Sequence, residues 1–442
     1  MTSVPQVAAA LQQVLAAIPT EQAGASGYRQ RQSKLTAAAF VQTAVLGWLA
    51  YPAGSLAELT TIAADVGVPI SPQGLDQRFT EASATLLADV LAAAVRQVVA
   101  ADPSALPVID RFAAVEVLDS TTITLPEGVA AAWRSCGGRT ATTPASAVKA
   151  TVRLDLRCGR LTGPELTSGR TQDRGTALQH APLVPNALRI ADLGFWSLGV
   201  LAALRAQEAH FLSRLHPQTV VCAAATGDRL AVERWLAEQT ADQVELAVTL
   251  GVTDRVPARL LAFRLPPARA GTRRRQLRAQ ARAKGTTPSR ISLARAGWTL
   301  LVTSVPAERL SAAEAMALYG ARWQIERLFK RWKSDGKLAA WRSANPDRIR
   351  CELYAKLIAL VLLQWLGATG GWDRSNASQD RVAATIRRHI PLLAVALAHP
   401  RALRTTLRTL AQVLRAVAPI TKRRRRPATF QRLLNPAELA LA

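Results

Sequence analysis

Apolar residues recur at helical spacing from Val4 to about Ala101, with Pro and Gly at the breaks, so the first hundred residues predict a set of helices. Within them, Leu56–Phe79 resembles a helix-turn-helix. Ala63 and Gly67 stand four apart, where a close helix approach followed by a turn needs small residues. Leu75 would anchor the second helix and present Gln73, Gln77 and Arg78 to a groove, although an ordinary helical hairpin fits the same pattern. After Pro107 the period changes. Val115–Thr124, Ala147–Leu156 and Leu161–Leu166 carry β-branched residues between Gly-containing turns and predict successive strands. Leu188–Asp192 predicts a short strand leading through Gly194 into a helix that ends near Ala206, and His210–Leu215 and Thr219–Ala224 predict two more strands. That order predicts an α/β layer with a mixed sheet.

Residues 225–307 read as an insertion with strands at Val244–Leu250, Arg259–Arg264 and Gly297–Val305. A long helix is expected from Ser311, where Ser311 and Glu314 have capping-box spacing, to Asp335, with Gly336 as its stop. Arg350–Leu366 and Val382–Val417 are expected to be helical. The chain thus divides into a helical DNA-binding region (1–106), a core (107–224), a basic β-rich insertion (225–307), a core helix (308–350) and a helical C-terminal region suited to dimerisation (351–442).

A length of 442 residues suits about three domains, and 49% hydrophobic with 20% charged residues excludes a disordered tail. Net charge changes the picture. With 56 basic against 31 acidic residues, +25 overall, the chain calls for an anionic partner, of which nucleic acid is the usual one. The excess of Arg over Lys suits phosphate binding and equally fits a GC-rich coding sequence. Arg255–Ala307 carries twelve basic residues and no acidic one, densest in Arg273–Lys284. A solvated face normally mixes both signs, so this stretch, with Arg273, Arg274, Arg275 and Arg278, reads as a phosphate-tracking surface. Lys422–Arg426 is a further basic run. Four scattered cysteines without CxxC spacing argue against structural zinc or a disulfide framework. Met1–Pro19 lacks the pattern of a signal peptide, and the uncharged stretches Leu35–Ala57 and Leu357–Trp372 read as buried helices rather than membrane spans. The expectation is a cytoplasmic protein without a membrane partner.

Three carboxylates stand out. Asp119 lies in the first apolar strand, where a charge is costly unless paired or bound to a cation. Asp192 ends a strand at its exit to a helix, and Glu326 lies in the middle of the long helix. Converging carboxylates that hold two Mg²⁺ ions are what in-line phosphoryl transfer on DNA needs. Tyr319, Arg322, Glu326 and Lys333 fall within an arc of about 60° on a continuous helix, beside an apolar stripe that includes Leu318, Ile325, Phe329 and Trp332. Such a helix buries one stripe and aims a carboxylate and two cations at one phosphate. An amphipathic helix with a solvated charged face is the plainer alternative. Asp155 reads as a paired edge residue and Asp173 as a turn residue. The five histidines show no ligand spacing, and no phosphate-binding GxxxxGK[ST] loop exists.

With LDST around Asp119, RIADLGFWSL around Asp192 and YGARWQIERLFKRWK around Glu326, the chain resembles a bacterial DDE transposase of the insertion-sequence-four family, the class with a Tyr-Arg-Glu-Lys signature. The resemblance runs from about 108 to 350. It implies an RNase H-like catalytic core interrupted by a mostly β insertion, with Asp119, Asp192 and Glu326 as ligands of two Mg²⁺ ions that Mn²⁺ could replace. It also implies that Tyr319, Arg322 and Lys333 contact phosphates near the cleaved end. The implied reaction is cut-and-paste transposition of double-stranded DNA through a hairpin intermediate, carried out by a homodimer that pairs the transposon ends before joining them to target DNA. Trp298, in the insertion strand, would stack on a base flipped out during hairpin formation, or it simply packs in the core. An inactive, DNA-binding regulator and an RNase H-like nuclease without strand transfer are the alternatives.

Overall fold

The computed structural model describes residues 4–28, 34–97, 99, 106–135, 146–370, 378–417 and 433. Lys422–Arg426 and Cys136 lie outside them. Helices α1 (Val4–Gln12), α2 (Ile18–Gln22), α3 (Ala37–Ala50), α4 (Leu56–Asp65), α5 (Pro72–Asp76) and α6 (Glu81–Ala94) come first. They are followed by α7 (Pro107–Asp110), β1 (Val115–Leu125), β2 (Ser146–Asp155), β3 (Leu161–Ser168) and α8 (Ala177–His180). Then come β4 (Leu188–Ala191), α9 (Leu198–Ala206), β5 (His210–Arg214), β6 (Val221–Ala223), α10 (Val232–Glu238), β7 (Gln243–Leu250) and β8 (Val256–Arg264). The rest is α11 (Pro267–Ala283), α12 (Arg290–Arg295), β9 (Trp298–Thr303), α13 (Ala312–Ala321), α14 (Trp323–Ser334), α15 (Pro346–Ala368), α16 (Gln379–Ala396) and α17 (Pro400–Val417). Thr36, Ser55, Thr80, Ser197, Ser311 and Ser378 open six of the helices, each hydroxyl accepting a backbone N–H three residues on and so filling an otherwise orphaned donor.

The chain folds as two compact units. The first takes the described residues within 1–105, 119–178 and 323–430, and the second those within 106–118, 179–322 and 431–442. In the first unit, α15 is buried on all sides. It packs against α3, α6 and α16, as a helix without a polar face must. Among the described residues α15 is also the one helix long and apolar enough to cross a membrane, and 78% of that stretch is buried. Gly47 lets α3 and α4 approach closely, since a Cβ there would stand 2.8 Å from Leu59 Cγ. Strands of the first unit lie in the order β3-β2-β1, with β2 and β3 antiparallel. In the second unit the order is β1-β4-β5-β9-β8-β7-β6, parallel among the first three strands and antiparallel beyond them. Its core includes Phe211, Leu250, Leu260, Trp298 and Val302.

The mixed α/β reading agrees with this architecture, and every strand expected from the sequence is present to within a few residues. Three expectations need correction. The long helix from Ser311 to Asp335 is two helices, α13 and α14, parted at Arg322. There the N–H bonds back to Tyr319 O, three residues away, and the ladder of four-residue bonds is interrupted. Second, residues 225–307 are not mostly β, because three helices accompany the three strands. Third, the second helix of the helix-turn-helix candidate is a single turn of five residues, about 7.5 Å long. Leu75 is fully buried there while Gln73, Gln77 and Arg78 are exposed, as expected. Gly67, at φ +88°, ends α4 in a Schellman motif, Val68 N–H bonding to Ala63 O and Gly67 N–H to Ala64 O.

Helix α15 carries a buried ion pair into this apolar interior. Lys356 of α15 is 2% exposed, and its Nζ donates to Glu352 Oε1 at 2.7 Å, Ala340 O at 2.9 Å and Lys337 O at 3.1 Å. It lies 5.2 Å from the centre of the Trp341 ring. Burial pulls its pKa below the ordinary lysine value, with Glu352 pulling it back up. Replacing Lys356 with Met leaves Glu352 buried without its cation and two carbonyls without a donor, a loss expected to be about 3–5 kcal/mol in urea unfolding. Lys356→Met with Glu352→Leu should recover most of that loss. Equal instability of the single and double variants would show that the pair is not what the fold depends on.

Candidate functional site

In the second unit β4 lies between β1 and β5 and runs parallel to both, so the carboxyl ends of all three strands point the same way. Ligand sites of parallel sheets form at that end. Asp192 follows β4 directly and caps the 3-10 turn Leu193–Phe195, its Oδ1 accepting the Gly194 N–H at 2.9 Å. Ala191 is level with Ser213, whose hydroxyl donates to Ala191 O at 3.1 Å, so Arg214 comes opposite Asp192 at the end of β5.

Tyr319, near the end of α13, senses the same group. Its phenol is pushed above the ordinary value chiefly by burial and also by the Asp192 carboxylate, against the pull of Arg322 and Arg214. The Arg322 guanidinium stands 5.9 Å from the Tyr319 ring centre. One carboxylate, two guanidiniums and a phenol kept protonated are therefore gathered by β4, β5 and α13. Sequence reading picked out Asp192, Tyr319 and Arg322 but missed Arg214. A lone arginine after a short strand carries no motif; only strand pairing could have found it.

Asp119 and Glu326 belong to the first unit. Asp119 is half-buried on β1 and its Oδ1 accepts the Ser120 N–H at 2.8 Å. Ser120 Oγ donates to Asp173 Oδ1 at 2.7 Å, and Lys149 Nζ donates to the same oxygen at 2.7 Å. Asp173 is thus more than a turn residue: it ties the serine beside Asp119 to a buried lysine on β2. Asp155 corrects another expectation. It lies on β2, which is flanked by β1 and β3 rather than at a sheet edge, and its carboxylate accepts the Arg157 N–H at 3.0 Å and the Cys158 thiol at 3.1 Å. Burial, followed by the Asp155 charge, pushes that thiol up to about 12.

Glu326 and Lys333 share a face of α14, seven residues apart, beside the buried stripe of Ile325, Leu328, Phe329 and Trp332. The split at Arg322 places Tyr319 and Arg322 in a different unit from these two, so the single arc expected for all four does not form on one helix. Partial desolvation draws Lys333 below the ordinary lysine value, although its side chain reaches solvent. The loop after α14 is fixed at both ends: Lys356 grips the Lys337 and Ala340 carbonyls, and Trp341 Nε1 donates to Thr124 O on β1 at 3.0 Å. The helix carrying Glu326 and the strand carrying Asp119 are thereby tied into one framework.

Asp119, Asp192 and Glu326 are hard oxygen donors, a chemistry that suits Mg²⁺ or Mn²⁺. Neither unit by itself carries all three, and among the described residues no group of three or more Asp, Glu, His or Cys side chains is placed to hold an ion.

The basic insertion divides by function. Arg259 bonds Glu245 and the carbonyls of Val305 and Leu310, Arg264 pairs with Asp242, and Arg295 pairs with Glu233. Arg273 donates to Trp298 O at 3.1 Å and Arg274 to Leu293 O at 3.2 Å, which fastens α11 to β9 and α12. The acidic partners come from residues 233–245, outside the acid-free stretch. Among the other basic residues of this stretch, Arg275, Arg278 and Arg282 are exposed in one row along α11. Trp298 is 7% exposed in the core of the second unit, with the Arg264 guanidinium 4.3 Å above its ring.

Comparison with known proteins bears on the whole region. The sequence model of a family described as Transposase DDE domain matches residues 111–362. The transposase for insertion sequence element IS231E of Bacillus thuringiensis subsp. finitimus is 26% identical over 317 residues, covering 67% of this chain and 65% of that protein. The putative transposase InsL for insertion sequence element IS186A of Escherichia coli (strain K12) is 31% identical over 255 residues, covering 56% of this chain and 64% of its own. The chain thus spans slightly less than two thirds of the length of these relatives.

The arginines of α11 are expected to separate experimentally. Arg273→Met should lower stability by about 1–3 kcal/mol in urea unfolding, through loss of charge-assisted bonds to β9. Arg275→Ala with Arg278→Ala should leave the unfolding midpoint unchanged and flatten the dependence of log K for duplex DNA on log salt by about 2 units. If only Arg273→Met altered the salt slope, the assignment of the two groups would be reversed.

Proposed function

Because the chain belongs to the DDE transposases of bacterial insertion sequences, we propose that it excises a mobile DNA element by cut-and-paste and joins its ends to target DNA. The observation that carries this reading is the group of Asp192, Arg214, Tyr319 and Arg322 at the carboxyl end of the parallel strands, within the matched region. A phosphodiester beside Asp192 meets two guanidiniums whose planar forks bind phosphate oxygens in pairs. Tyr319, kept protonated by burial, donates a hydrogen bond to a phosphate oxygen instead of repelling it. Lys333 adds a cation on the face of α14 that carries Glu326.

Asp119, Asp192 and Glu326 would hold two divalent ions, Mg²⁺ or in its place Mn²⁺, in an RNase H-like core. Bound there, the ions supply activation of the attacking hydroxyl and stabilisation of the leaving oxygen. The Ser120–Asp173–Lys149 network fixes the backbone beside Asp119, so that the carboxylate keeps one orientation without reorganising. Water is the first nucleophile and the freed 3′-hydroxyl the second, giving a hairpin on the element end that is reopened before strand transfer. Two copies of the chain bring the two ends together. The N-terminal helices and the exposed row on α11 hold the duplex.

Asp119→Ala, Asp192→Ala and Glu326→Ala are each expected to lower Mg²⁺-dependent end cleavage by about 10³-fold or more, since a lost metal ligand costs several kcal/mol in the transition state. DNA binding measured by gel shift should stay within a few-fold of the parent. Substantial cleavage by one variant would remove that residue from the triad, and binding without cleavage by the parent protein would favour a regulator.

Trp298→Leu, which keeps the core largely filled, should preserve the first nick and slow hairpin formation, with an abasic nucleotide at the flipped position restoring part of the rate. Stacking on a base requires Arg264 to leave the ring. Hairpins formed at the normal rate by Trp298→Leu would make Trp298 a packing residue.

A further inference from the structure

Helix α17 carries a surface that neither the catalytic residues nor the insertion accounts for. Its buried stripe is Leu403, Leu407, Leu410, Ala411 and Leu414, packed toward α16 and α1. Alongside that stripe Arg401, Arg404 and Arg408 are exposed and fall within an arc of about 60°. Among the described residues none of the three has an acidic partner. No acidic residue occurs between Asp380 and Glu438. A solvated helix in a folded protein usually mixes charge signs along its face, and this one does not.

We propose that the arginine row of α17 is a second duplex-binding surface that tracks the phosphate backbone of DNA without reading its sequence. The inference rests on the DNA-handling function proposed above, and it assigns that function a contact outside the family-matched region, which ends at residue 362. Three features carry it. First, the row is long enough for the ligand: Arg401 and Arg408 are seven residues apart, about 10.5 Å along the axis, so their long side chains can reach more than one phosphate of a duplex. Second, the outer crest of the helix is Ala402, Thr405, Thr409 and Gln412, small or neutral, so no bulky or acidic side chain keeps the helix from lying against a polyanion. Thr405 and Thr409 turn their hydroxyls back onto Arg401 O and Thr405 O, which lowers that crest further. Third, Arg401, Arg404 and Arg408 repeat the spacing of the exposed row Arg275, Arg278 and Arg282 on α11: arginine, then three, then four residues on. Two helices of different sequence thus present the same cationic ladder. The chemistry selects a phosphate-rich duplex, because the row offers guanidiniums alone, whose planar forks pair with phosphate oxygens and whose charge is drawn to a polyanion.

The test uses the full chain, a 30-base-pair duplex of random sequence labelled for fluorescence anisotropy, and a titration at several salt concentrations. Arg401→Ala, Arg404→Ala and Arg408→Ala combined should weaken binding roughly 10-fold at moderate salt and reduce the slope of log K against log salt by about 2–3 units. The same positions changed to Lys should restore most of the slope, since a phosphate contact needs charge more than shape. Because all three side chains are exposed and Ala favours helix, the thermal unfolding midpoint should not fall. An unchanged slope in the Ala variant, with the parent still binding duplex, would overturn the surface and leave the proposed function standing. Failure of the parent protein to bind any duplex would overturn both. Loss of binding to vesicles of anionic phospholipid by the Ala variant, with duplex binding intact, would assign the row to a membrane surface and also overturn the proposal.

Discussion

The first unit depends on one helix that has no outside. Every face of α15 is covered, so α3, α6 and α16 have to pack around it, and any charge it carries has to be answered inside the protein. Lys356 and Glu352 are those charges. Besides its pairing with Glu352, Lys356 has three contacts that join α15 to the loop after α14, and Trp341 in the same loop joins β1 through Thr124. A buried ammonium satisfied on several sides acts as a pin. It fastens the Glu326 helix and the Asp119 strand to the apolar core, and so helps to place two of the proposed metal ligands by packing.

A net charge of +25 would be a burden if all the cations faced outward, and they do not. Arg259, Arg264, Arg273, Arg274 and Arg295 are bonded within the second unit, several to backbone carbonyls that would otherwise lack a donor. Arginine serves here because its fork reaches two acceptors at once and stays charged when partly desolvated. Only where the helix turns outward, as on α11 and α17, do the guanidiniums collect in rows. The same residue type therefore cements the fold and presents charge, and position on the helix decides which.

The strands were readable because β-branched alternation bounded by Gly is a local signal, and local signals survive without tertiary information. Asp192 was readable for a similar reason, at the exit from a short apolar strand. The break at Arg322 was hidden, because one residue with a shortened hydrogen bond does not disturb the apolar period on either side. Charge pairing was hidden too. The stretch from Arg255 to Ala307 looked unpaired only because Glu233, Asp242 and Glu245 precede it in sequence and meet it through strand pairing and helix packing. Asp173 was underrated for the same cause, with partners 53 and 24 residues away. Apart from the local break at Arg322, what sequence alone left out was a contact between residues distant along the chain.

The division of the chain into interleaved stretches has a consequence for synthesis on the ribosome. The second unit has all its strands once Arg322 has emerged, but the first cannot close until α15, α16 and α17 are made. Its apolar helix α3 is finished at Ala50 and waits for Pro346, the start of the helix it packs against. Roughly 300 residues separate them, about 15–60 s of translation at usual bacterial and eukaryotic speeds. Throughout that interval a segment in which eleven of fourteen residues are destined for burial has only near neighbours such as α2 and α4 to pack on. A helix made well before its partner is thus among the last to be fully covered, and its apolar face stays open to other surfaces in the meantime.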